Sequence, residues 1–154
     1  MTHEEILKEM GYQLESIDMI GAKGRIVRGV RTGNLIFISG ALPRYNGQEI
    51  KGKVDNEISI EEGYRAAQWA TINCLRVIKT MMGSLDSITQ FIKVFGMVNV
   101  AHDFDDPPAI INGCSDLLLT VFGEKGRHAR SAVGVFVPHN YAVEIEMIVE
   151  VSTN

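Results

Sequence analysis

The chain has 154 residues, 45% of them hydrophobic and 22% charged, with a net charge of −4. Those proportions describe one globular domain with a single sizeable core. The acidic balance offers a nucleic acid no basic stripe, because strand alternation would divide Arg25, Arg28 and Arg31 between two faces. No apolar run approaches the roughly 20 residues that span a bilayer.

The start, Met1-Thr2-His3-Glu4-Glu5, is acidic and lacks a signal-peptide core. Cys74 and Cys114 fall among apolar neighbours in predicted helices and read as buried free thiols. A cytoplasmic protein is expected. His3, His102, His128 and His139 lack metal-ligand spacing, so no metal is expected. Gly21-Ala22-Lys23-Gly24 has neither the spacing nor the following helix of a phosphate loop, so no nucleotide cofactor is expected either.

Ile6, Leu7 and Met10 sit at helical spacing before Gly11, which predicts a short helix over 3–11. Residues 25–31 and 34–40 are apolar runs joined through Thr32-Gly33, a hairpin signal. Asn46-Gly47 marks a loop or weak hairpin inside 44–58. Ser59 with Glu62 three residues on is a capping box. The stripe Ile60, Tyr64, Ala67, Thr71, Cys74, Ile78 and Met81 follows, and Gly83 ends that helix.

Residues 89–100 read as a long strand, with Ile92, Val94, Val98 and Val100 on one face and Phe91, Phe95 and Met97 on the other. Asp103, Asp105 and Asp106 precede Pro107-Pro108, the start of a second long helix that runs to Gly123 and buries Ile110, Cys114, Leu117 and Val121. At the end, Val143, Ile145, Met147, Val149 and Val151 alternate with Glu144, Glu146 and Glu150, the period of a half-buried strand. Residues 131–137 are expected to pair with it as a closing hairpin. The whole predicts a single domain over 1–154, with an N-terminal extension (1–21) ahead of a core (22–151). Its class is α+β: a two-layer sandwich with two long helices on one face of a mostly antiparallel sheet. The other face keeps apolar residues, which points to a homo-oligomer.

Three motifs carry a resemblance: Asn34-Leu35-Ile36-Phe37-Ile38-Ser39-Gly40-Ala41-Leu42-Pro43, Ala129-Arg130-Ser131-Ala132-Val133, and Val143-Glu144-Ile145-Glu146. In this order and at these distances they resemble the reactive intermediate deaminase family, also called the YjgF or endoribonuclease L-PSP family, of which this chain looks like a divergent branch. The resemblance implies a chorismate-mutase-like fold and a homotrimer whose clefts between subunits bind small carboxylates. It also implies cofactor-independent hydrolysis of enamine and imine intermediates such as 2-aminoacrylate to a keto acid and ammonia. Carried over by position, the carboxylate-binding arginine falls on Arg130 and the glutamate that handles protons or water on Glu144. The first-motif serine falls on Ser39 and the cleft-facing helix asparagine on Asn112. Ala132 stands where active deaminases often carry cysteine, and Ile26 where a tyrosine is expected.

Taken on their own, these residues keep alternatives open. A guanidinium at Arg130 can hold a carboxylate in a bidentate fork that a lysine cannot supply, or pair with a nearby glutamate. Glu144 can act on water as a general base or be a solvated strand carboxylate, as can Glu146 and Glu150. Ser39 binds ligand or caps a strand end, and Asn112, off its helix's apolar stripe, faces ligand or solvent. In the expected closing hairpin Arg130 lies opposite Glu150 and roughly 20 Å from Glu144 at strand rise. The two can then share a pocket only between two chains. A non-catalytic protein that binds a keto acid in the same cleft is the second reading, and an endoribonuclease the third.

Overall fold

The computed structural model describes residues 1–153. The first helix, α1 (His3–Glu9), opens with a capping box between Thr2 and Glu5. It places Leu7 in the core, and His3 stacks on Phe122 with ring centroids 4.5 Å apart. A short strand pair, β1 (Ile20–Gly21) and β2 (Ile26–Val27), follows as a separate two-stranded sheet. The run expected as one strand over 25–31 therefore divides. Its first part pairs back with β1, and Gly29 begins β3 (Gly29–Thr32), which pairs antiparallel with β4 (Leu35–Ala41) through the turn at Gly33.

A small hairpin, β5 (Arg44–Tyr45) and β6 (Gln48–Glu49), turns at Asn46-Gly47, where both residues take positive φ. That geometry explains the Asn-Gly pair. The long helix α2 (Ile60–Met82) has the Ser59–Glu62 capping box and a left-handed C-cap at Gly83. The strand β7 (Ile88–Asn99) leads to α3 (Pro107–Phe122), capped by the Asp106 side chain. The last strands are β8 (Ala129–Val135) and β9 (Val143–Val151).

The main sheet has the order β3-β4-β9-β7-β8, with α2 and α3 packed on one face, so the class is the expected α+β sandwich. Ile36, Ile38, Val94, Val98, Ile145, Met147 and Val149 meet Ala67, Ala70, Cys74, Ile110, Cys114 and Leu118 in one buried cluster. The helices approach closely at Gly113, where a Cβ would lie 2.1 Å from the Tyr64 carbonyl oxygen.

Two expectations are corrected. First, β8 and β9 do not form a hairpin. β8 runs parallel to β7 at the sheet edge, with α3 as the crossover, and β9 lies on the other side of β7, between it and β4. A strand, a helix and a strand in series form a parallel unit when the helix covers the sheet. The chain then crosses the end of β7 to reach β9. Asn99, buried at that end, pins the crossing: its amide donates to the Asn140 side chain at 2.8 Å, and its backbone N–H donates to the Ala142 carbonyl at 2.9 Å. Second, Phe91 is core and Ile92 is 38% exposed. The β7–β9 register shifts between Phe91 and Lys93, where two β7 steps match one on β9. Ile92 is the extra residue of a bulge, and alternation restarts beyond it.

Candidate functional site

The sheet displays Glu144, Glu146, Ile148 and Glu150 on the face away from the helices, beside Phe37, Phe95 and Met97. A cavity of about 180 Å³ lies there against Phe37, Lys93, Phe95, Glu146 and Ile148. Of the three glutamates, Glu150 accepts from the Thr89 hydroxyl at 2.7 Å, and Glu146 is exposed. Glu144 is half-buried. Burial pushes its carboxyl above the ordinary value, and Glu146 on the same strand face adds to the rise. Its side chain covers Gly40: a Cβ built there would fall 2.6 Å from Glu144 Oε2.

Gly40 belongs to a second bulge, since β4 advances from Ile38 to Ala41 while β9 advances only from Met147 to Ile145. Ser39, in the same bulge, donates its hydroxyl to the Val27 carbonyl at 2.9 Å and ties β2 to β4. The strand-end cap was one of the two readings of this serine, and its bond is of that kind. Ile26, next to Val27, is 43% exposed on the small hairpin. Beyond the bulge lies a cavity of about 220 Å³ whose polar lining includes Ser39, Asn73, Arg28, Arg44 and Arg76.

Arg130 occupies the opposite edge of the molecule. It is the second residue of β8 and pairs with Val94, not with Glu150. Its Nη1 donates to Asn112 Oδ1 at 2.8 Å and to Ser115 Oγ at 3.1 Å, so the guanidinium lies on the α3 side of the sheet. Among the described residues no carboxylate comes within ion-pair distance of it. The nearby-glutamate reading of Arg130 is therefore not realised in this chain. Asn112 is exposed and lies one helical turn before Ser115, which puts both on one face of α3. Ala132 follows Arg130 by two residues on the same strand and packs against the core.

The six residues singled out from the sequence thus fall into two groups. Arg130, Asn112 and Ala132 gather on the α3 side of β8. Glu144 and Ser39, with Ile26 close by on the hairpin that Ser39 tethers, gather at the β4–β9 end. Ser115 and His128 were missed. Ser115 Oγ lies 2.9 Å from His128 Nε2, and His128 Nδ1 lies 2.6 Å from the Gly126 carbonyl oxygen. The signal was present in the spacing: Asn112 and Ser115 are three apart in a helix, and His128 precedes Arg130 by two. Among the described residues no group of three or more His, Cys, Asp or Glu side chains could hold a metal ion. Among the described residues no helix is long and apolar enough to cross a membrane.

The fold and the motifs on it define a small α+β protein with an arginine held at its sheet edge. The family described as "YjgF/chorismate mutase-like, putative endoribonuclease" matches residues 9–150, and the chain belongs to it. Protein TCP17 of Trypanosoma cruzi is 35% identical over 126 residues, which are 80% of this chain and 79% of that one. The crystal structure of Atu1372, a protein of unknown function from Agrobacterium tumefaciens, superposes with a TM-score of 0.90 at 36% identity, over 98% of this chain and 94% of that one. E. coli TdcF, solved with bound serine, shares the fold with a TM-score of 0.58 at 23% identity, over 92% of this chain and 99% of that one.

Proposed function

We propose that the protein hydrolyses reactive enamine or imine intermediates of the 2-aminoacrylate kind to a 2-keto acid and ammonia. The site is a cleft between two subunits of a homotrimer, without metal or cofactor. The observation that carries this reading is Arg130. Asn112 and Ser115 hold one nitrogen of its guanidinium, and no carboxylate of the described chain neutralises it. A cation fixed in this way is matched to a small carboxylate from outside. The serine bound to TdcF, a small amino acid, is compatible with such a ligand.

Within one chain Glu144 cannot reach that ligand, because it stands on the other face of the sheet. A second chain packed on the open face, against Phe37, Phe95 and Met97, would bring its Glu144 and Ser39 region to the Arg130 edge. Glu144, its carboxyl pushed up by burial, then holds and orients the attacking water. An imine is already electrophilic, so orientation of substrate and water supplies most of what the reaction requires.

A second reading is a non-catalytic protein that binds a keto acid at Arg130. Ala132 and Ile26 favour it, since neither supplies a reactive group at its position. The endoribonuclease reading is opposed by charge: Glu144 and Glu146 lie together on the open face of an acidic chain and repel a phosphodiester backbone. Purified protein added to freshly generated 2-aminoacrylate separates the first two. Faster ammonia release that disappears in Arg130→Ala supports the enzyme. Arg130-dependent binding of 2-ketobutyrate with no turnover supports the binding protein.

A further inference from the structure

In the reading above Ser115 only steadies Arg130 and His128 has no role, yet the geometry of the pair is specific. The Gly126 carbonyl oxygen, 2.6 Å from His128 Nδ1, can only accept, so Nδ1 carries the proton. In the neutral ring Nε2 is then the bare nitrogen, and Ser115, at 2.9 Å, donates its hydroxyl to it. The same Oγ accepts from Arg130 Nη1 at 3.1 Å, which leaves it one free lone pair. Ser115 is therefore a hydroxyl aligned with a base on one side and polarised by a cation on the other. Arg130 and Ser115 share a hydrogen bond, so a ligand carboxylate on the remaining guanidinium N–H groups would hold its α-carbon next to that hydroxyl.

We propose that Ser115 and His128 form the proton-transfer pair at the Arg130 end of the cleft, for a small α-imino acid held by Arg130; this rests on the reading of Arg130 as the carboxylate anchor. Water adds to the iminium carbon and a C–O bond forms. One water proton passes to Ser115 Oγ as the Ser115 proton moves to His128 Nε2, which leaves a neutral carbinolamine and an imidazolium. The imidazolium returns its proton through the same hydroxyl to the amine nitrogen. The C–N bond breaks, the nitrogen keeps the electron pair, and the carbinolamine O–H proton goes with it. The sum is iminium plus water to keto acid plus ammonium.

The surroundings keep the ring in the form this needs. Burial lowers the basicity of His128; the Gly126 carbonyl partly offsets this, and Arg130, a smaller effect, also opposes protonation of the ring. Of the other charged groups on the adjoining elements, Lys93 on β7 donates to the Ser131 hydroxyl at 3.4 Å, and Lys125 acts on Asp86. Asp116 on α3 accepts from the Tyr64 hydroxyl, and Glu124 and Arg127 on the preceding turn pair with each other. The site also remains open, since Asn112 is exposed and Ser115 and His128 are only partly buried.

Two measurements on the whole protein test the pair. In the first, the His128 ring resonances are followed by NMR through a pH titration, with and without 2-ketobutyrate. A bound carboxylate offsets the Arg130 charge, so the His128 midpoint should rise with ligand in the wild type and stay put in Arg130→Ala. Saturable ligand binding with an unmoved midpoint overturns the placement of His128 in the cleft. In the second, His128→Asn keeps a donor for Gly126 but no base. Its kcat should fall by about a hundredfold or more and the acid limb of the pH profile should vanish, with 2-ketobutyrate affinity retained. His128→Gln serves the same purpose if the first variant unfolds. An active wild type with an equally active His128→Asn removes the pair alone, whereas a wild type no faster than buffer removes the deaminase reading as well.

Discussion

Arg130 and Glu144 stand on opposite faces of one sheet. Arg130 pairs with Val94 and Glu144 with Met97, and β7 separates their two strands. Their backbones are roughly 14 Å apart, at about 3.3 Å per residue and 4.8 Å per strand. That is nearer than the hairpin expected from the sequence would have set them, yet it still prevents a shared pocket, because Arg130 turns toward α3 and Glu144 turns away. The two halves of the proposed site point in different directions within one chain. A site that uses both belongs to two chains.

Arg130→Ala should weaken 2-ketobutyrate binding by roughly 1.5–3 kcal/mol, the value of hydrogen bonds to a charged group, or about one to two powers of ten in Kd. Arg130→Lys should restore only part of that, since an ammonium keeps the charge but not the fork. Titration calorimetry on the three proteins checks both statements. Equal affinity in wild type and Arg130→Ala would contradict the anchor role.

Glu144→Gln should gain stability while it loses activity. The folded carboxyl is raised above its unfolded value by burial and by Glu146. The folded protein therefore binds the proton more tightly than the unfolded chain, and the ionised group opposes folding at neutral pH. That penalty fades as pH falls through the folded value toward the unfolded one. Urea unfolding should show Glu144→Gln ahead of wild type at neutral pH and level with it in acid. Opposite signs for stability and activity are what a functional carboxylate held in a half-buried place produces.

Gly40→Ala should fold and still impair the reaction. The three atoms nearest the added Cβ all belong to the Glu144 side chain, which can swing aside. The expected result is a near-normal unfolding midpoint with reduced ammonia release and unchanged 2-ketobutyrate affinity. Lost affinity together with lost stability would place Gly40 in the fold rather than beside the chemistry.

Phe91→Ala should cost about 3–5 kcal/mol, as for a large core side chain. Phe91 is 1% exposed and packs edge-on against Phe122 with centroids 4.8 Å apart. Ile92→Ala should cost about 1 kcal/mol or less. Strict alternation from Val94 assigns the opposite order, so denaturant unfolding of the pair tests the bulge directly.

The sequence carried those features whose chemistry is local. The Ser59–Glu62 box, the left-handed Gly83 cap, the Asn46-Gly47 turn and the even-numbered glutamates of β9 are each complete within a few residues. The bulges were not legible, because an extra residue at Ile92 or at Ser39-Gly40 is fixed by the partner strand. Strand order was hidden for a similar reason: the short link from Val135 to Val143 reads as a hairpin, and bonds from distant residues carry it across β7, from the buried Asn99 to Asn140 and Ala142 and from Gly52 and Ile50 to the same two. On the site, the motifs led to Arg130 and Glu144 but not to their separation between two faces. They passed over Ser115 and His128, which meet only when α3 folds onto β8.

The most direct test of a site shared between chains is complementation. Arg130→Ala and Glu144→Gln subunits are co-expressed, and ammonia release from 2-aminoacrylate is compared with that of each variant alone. If Arg130 of one chain works with Glu144 of the next, the mixture should recover about a quarter of the wild-type rate, the share of interfaces that join two intact halves in a random assembly. Each variant alone should stay inactive. A mixed oligomer no more active than its parents would contradict the shared site.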